Sequence, residues 1–103
     1  MEMKDYHELV PNMDILREKT RNGSMKIFED KKTRYIGDIA KEMWRCAKIG
    51  KNEAHYHTAL SDNIARKAFE KALEEFKVKG YMVECAMEGE ISVSIIISWP
   101  LDL

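Results

Sequence analysis

The chain has 103 residues, 34 % of them charged and 45 % apolar, with a formal net charge of -1. That length suits one domain, 1–103, with a single two-layer core, and excludes separate cofactor and substrate domains. No apolar run approaches the roughly 18 to 20 residues a bilayer span needs, and no basic head with an apolar stretch marks a leader, so a cytoplasmic protein without membrane partners is expected.

The near-zero net charge hides an asymmetry. Residues 1–16 carry one Lys against four acids, residues 17–51 carry eleven Lys or Arg against five acids, and residues 52–103 carry five against nine. The first eleven residues are acidic and lack periodicity, which predicts a loosely held arm. Asn12 is an acceptable N-cap for a short helix using Ile15, Leu16 and the stem of Lys19, and Asn22-Gly23 is a stop signal. Residues 24–28, with Met25 and Ile27 on one side, then read as a short third strand.

From Thr33 the period becomes helical. Tyr35, Ile36, Ile39, Ala40, Met43, Trp44 and Ala47 form an i, i+3, i+4 stripe, and Gly50 is placed to end the helix. Residues 52–60 read as a connection. Ser61 or Asp62 is the expected cap of a second helix, whose stripe is Ile64, Ala65, Ala68, Phe69, Ala72, Leu73 and Phe76, stopped at Gly80. Residues 80–99 then alternate with the period of a β-hairpin. Tyr81, Val83, Cys85 and Met87 share parity with Ile91, Val93, Ile95, Ile97 and Trp99, so the turn must pair odd with odd. A three-residue loop, Met87-Glu88-Gly89, with Gly89 left-handed, sets Cys85 opposite Ile91 and Val83 opposite Val93. On that register Ile97 and Trp99 overhang. Two amphipathic helices on one face of a small antiparallel sheet make the class α+β.

Few residues invite chemistry. His55-x-His57 has metal-ligand spacing on an extended segment, with Cys46 or Glu53 as a conceivable third ligand, but a stable site needs three or four ligands, and neither metal nor cofactor is expected. Cys46 and Cys85 fall among apolar neighbours and are expected free and buried. Ser92, Ser94 and Ser98 take their spacing from the solvent side of a strand, and no enzyme activity is expected. The basic middle third offers a better lead: Lys31, Lys32, Arg34, Lys41, Arg45 and Lys48 are candidates for one positive patch facing an acidic protein or phosphates. Helix, turn, helix and hairpin is also the order of a winged-helix module, so nucleic-acid binding through residues 26–48 is the alternative. The bare side of the sheet, with Met82, Ser92, Ser94, Ile96 and Ser98, is flat and partly apolar and is a candidate surface for a homodimer.

Gly80-Tyr81-Met82-Val83 and the closing Ile97-Ser98-Trp99 resemble small tailed-bacteriophage and prophage proteins of unassigned function, in which a charged helix runs into such a hairpin. The resemblance spans residues 61–99. It implies a host-cytoplasmic setting and a non-catalytic role, and carries over no functional residue.

Overall fold

The computed structural model describes residues 10–101. Its elements are α1 (Met13–Lys48), β1 (Glu53–Ala59), α2 (Asn63–Val78), β2 (Met82–Met87) and β3 (Ser92–Ser98). The expected N-terminal arm lies outside the described residues except for Val10 and Pro11.

The predicted short helix and the strand at 24–28 are replaced by one helix of 36 residues, about 54 Å long. Asn12 caps it, its side chain accepting from the amides of Asp14 (2.9 Å) and Ile15 (3.3 Å). Asn22-Gly23 does not stop it. A glycine inside a helix costs only about 1 kcal/mol against alanine, and a helix already nucleated on its packed half extends through such a site when its neighbours are good formers such as Leu16, Lys19, Arg21 and Met25. The helix ends where Ile49 and Gly50 turn back onto Cys46 and Ala47, with Gly50 at φ 83°.

The third strand comes instead from the segment read as a connection. Glu53–Ala59 pairs antiparallel with β3, and the sheet order is β1-β3-β2. Both ends of β1 are pinned: Trp99 and Asn52 exchange bonds of 3.1 and 2.9 Å, and Leu60 donates to Ile91 at 2.7 Å. Because a strand separates α1 from α2, the expected order of helix, turn, helix and hairpin is replaced among the described residues by helix, strand, helix and hairpin.

The hairpin keeps the predicted parity but not the predicted register. Met87 pairs with Val93, Cys85 with Ile95 and Val83 with Ile97, and Glu88 donates to Ser92 at 2.9 Å across a loop longer than three residues. Gly89 lies at φ 159°, far from the left-handed helical region. The pairing of β1 on its other edge makes β3 central, and with the shifted register Ile97 pairs on both sides.

Both helices cover the odd-numbered face of β3. Val93, Ile95 and Ile97 are fully buried with Ala54 against Ile39, Phe69 and Ala72. Each such aliphatic side chain contributes about 1.5–3 kcal/mol through burial. Asp62, not Ser61, caps α2 by accepting from Ala65 at 2.7 Å, and all six buried residues of α2 belong to its predicted stripe. α1 packs on β1 and α2 reaches β2, whose outer end is left bare. Tyr81 and Val83 are therefore only partly buried, while Cys85 and Ile91, expected in the core, are exposed. Cys46 is buried and both thiols are free, as expected.

Candidate functional site

Much of the surface of α1 is exposed, because only half of it is needed by the core. Residues 31–48 pack through Tyr35, Ile39, Met43 and Cys46. Residues 13–27 stand clear of the body, Phe28 packs against the edge of the core, and the molecule measures 77 × 27 × 20 Å. In that free half only Ser24 is even partly buried. It nonetheless carries large apolar side chains: Met13, Ile15 and Met25 are 60–64 % exposed, and Leu16 and Ile27 about half.

Helical spacing sorts these residues onto two opposite sides. The outward side runs Met13, Leu16, Thr20, Gly23, Ile27, then Arg34, Lys41, Arg45 and Lys48, at steps of three, four or seven residues, all exposed. It is apolar in the first half and basic in the second. Four residues of the expected patch thus share one side, with Lys31 beside them. Lys32 does not join them; it turns toward α2, lying 3.6 Å from Glu29 and 3.7 Å from Glu75. Arg45 is partly neutralised, since its guanidinium donates to both oxygens of Glu42 at 2.9–3.2 Å. That hydrogen-bonded pair holds the Glu42 carboxyl below its usual range. Asp38, one turn from Arg34, accepts from the Tyr56 hydroxyl at 3.4 Å.

The second side carries Ile15 and Met25 and continues into Ile36, Ala40, Trp44 and Ala47. Here the predicted stripe of α1 straddles two environments. Tyr35, Ile39 and Met43 enter the core, whereas Trp44, 69 % exposed, and Ala47 line a groove of about 520 Å³ completed by Phe76, Lys79, Tyr81 and Trp99. The aromatic wall is built by the helix-to-hairpin junction. Gly80 at φ 98° reverses the chain, and Tyr81 then stands edge-on to both Phe76 (centroids 6.0 Å apart) and Trp99 (6.4 Å). Residue-level periodicity could not reveal this groove, because its walls come from α1, α2, the junction and the end of β3.

On the bare face of the sheet, Met82, Ser92, Ser94, Ile96 and Ser98 do lie together. Register adds a polar row from β1: Glu53 beside Ser98, His55 beside Ile96 and His57 beside Ser94. His55 contacts Glu53 at 2.9 Å and His57 contacts Glu88 at 3.3 Å. Ser94 donates to the same Glu88 at 2.9 Å, so its hydroxyl is engaged by a carboxylate and not by an imidazole that could activate it. Among the described residues no group of three His, Cys, Asp or Glu side chains is arranged to hold a metal ion. No described helix is long and apolar enough to cross a membrane. No protein-family model, no curated protein and no solved structure matches this chain.

Proposed function

We propose that the protein is a non-catalytic accessory factor that binds an acidic protein through the outward side of α1, as a self-associated unit. The observation that carries this reading is the free half of α1 with its exposed Met13, Leu16 and Ile27. An isolated helix of that length with Asn22-Gly23 in its middle is marginal in water, and large apolar side chains spaced along one side are what an amphipathic partner helix or groove uses as anchors. The lysines and arginines that continue the same side favour a partner with acidic residues beyond its apolar anchors. The resemblance at Gly80–Val83 and Ile97–Trp99 supports a phage-type setting in a host cytoplasm.

Self-association belongs on α1 in this reading and not on the bare face of the sheet, because β1 lines that face with Glu53, His55 and His57 beside the small serines. Nucleic acid is the alternative occupant of the basic half, and the apolar half of the same stripe speaks against it.

A photo-crosslinking residue at position 20 in the producing cell tests the reading. One discrete cross-linked polypeptide is expected, lost with Leu16→Lys/Ile27→Lys and with Lys41→Glu/Arg45→Glu/Lys48→Glu. Purification with bound nucleic acid that survives a moderate-salt wash, or a cross-link indifferent to both variants, contradicts it.

A further inference from the structure

The two sides of α1 need not serve the same partner, and the groove side has a feature the outward side lacks: it is complementary to itself. The packed part of the helix begins near Phe28, which lies against the core, and the residues before it are free. The packed half lines an open apolar groove. The free half continues the groove-lining stripe as Ile15, Glu18, Asn22 and Met25. A helix whose one end offers an unfilled groove and whose other end carries exposed apolar side chains on the same side is satisfied by an antiparallel copy of itself.

We infer that the groove formed by Ile36, Ala40, Trp44, Ala47, Tyr81 and Trp99 is filled by the free half of α1 from a second copy, in a two-fold dimer whose axis passes near Lys31. With a rise of about 1.5 Å per residue, that axis places Ile15 across from Ala47, Glu18 from Trp44, Asn22 from Ala40 and Met25 from Gly37. The groove side contributes small residues at three of those four layers, which lets the helices approach closely. Gly37 has open space around it, with no atom within 4 Å of where a Cβ would stand.

The symmetry repeats the contact, so both halves of both helices enter the interface and each apolar groove is covered. The aromatic wall supplies the kind of anchor that dominates interfaces, with Trp44 as the most exposed of its large side chains. Met13, Leu16 and Ile27 remain on the far side of each free half, available to the acidic protein proposed above. The inference rests on the self-association part of that reading only.

Sedimentation equilibrium on the full chain decides it, with variants chosen among exposed side chains so that folding is not at stake. Wild type is expected to reach twice 12.0 kDa at tens of micromolar, Ile15→Lys/Met25→Lys to stay monomeric, and Leu16→Lys/Ile27→Lys to remain dimeric. A wild-type monomer at several hundred micromolar overturns the inference. So does a dimer that survives Ile15→Lys/Met25→Lys, or one that is lost with Leu16→Lys/Ile27→Lys. A cross-link to the acidic partner that is retained in Leu16→Lys/Ile27→Lys while that variant still dimerises counts against the partner reading alone.

Discussion

Neighbouring isoleucines on β3 give the sharpest test of how the sheet faces the helices. Ile95 is 1 % exposed and pairs with Tyr56 on one side and Cys85 on the other, beneath both helices. Ile96 points to the bare face, between His55 and Glu84. Truncating a buried isoleucine costs about 2–5 kcal/mol, and leaving a hydroxyl there without a partner adds about 1–3 kcal/mol. Ile95→Ser should therefore cost on the order of 4–6 kcal/mol, comparable with the whole stability of a small domain. Ile96→Ser loses only half-covered surface, so its cost should stay near 1 kcal/mol or below. Urea titrations followed by circular dichroism read both, and Ile95→Val, expected to cost about 0.5–1.5 kcal/mol, supplies a foldable point if the serine variant is unfolded in buffer. Equal costs at 95 and 96, or a larger cost at 96, would refute the facing of β3.

Three other expectations follow from the structure. Reversing Lys41, Arg45 and Lys48 to Glu should change the melting temperature little, because the Glu42–Arg45 pair is a surface contact, yet should abolish a salt-sensitive interaction with the acidic partner. Asp62→Ala removes the cap that accepts from the Ala65 amide and should lower stability by about 1 kcal/mol, read as a shift in the urea midpoint at unchanged slope. Burial raises the hydroxyl pKa of Tyr35 above 10.0, with Arg34 opposing, and burial likewise raises that of Tyr56. The folded state then holds protons that the unfolded state releases, so this contribution is fully present below pH 10, and stability falls as pH rises through the raised values. Ultraviolet titration should show two phenolates appearing later than free tyrosine, and Tyr56→Phe should remove one.

The parts of the fold that were legible are those with a strong period in one contiguous segment. The stripe of α2 stands as read because its six buried residues repeat every three to four positions and its cap and stop are ordinary. Hairpin parity was legible for the same reason, but register was not, since parity admits loops of three or five residues and only contacts with β1 choose between them. The alternation of β1 was present in Ala54, Tyr56 and Thr58, which face inward. It went unread because alanine is a weak apolar signal and His55-Tyr56-His57 looks like a loop.

The continuity of α1 was hidden by Asn22-Gly23, a local stop signal overridden by propagation from the packed half. Of the basic patch, Arg34, Lys41, Arg45 and Lys48 were legible by spacing, whereas Glu75 on α2 redirects Lys32. The groove was illegible because Trp99 reaches Tyr81 only through a strand register and a glycine reversal that lie far apart in the chain.

The central claim is that the free half of α1 is a docking element whose helix is completed by what binds it. Amide hydrogen exchange over residues 13–30, measured at protein concentrations from below one micromolar to several hundred, tests it most directly. Protection of that segment should rise with concentration while that of Ile95 and Ile97 stays constant, because only the free half gains a partner. Protection of 13–30 that is the same at every concentration would contradict the account.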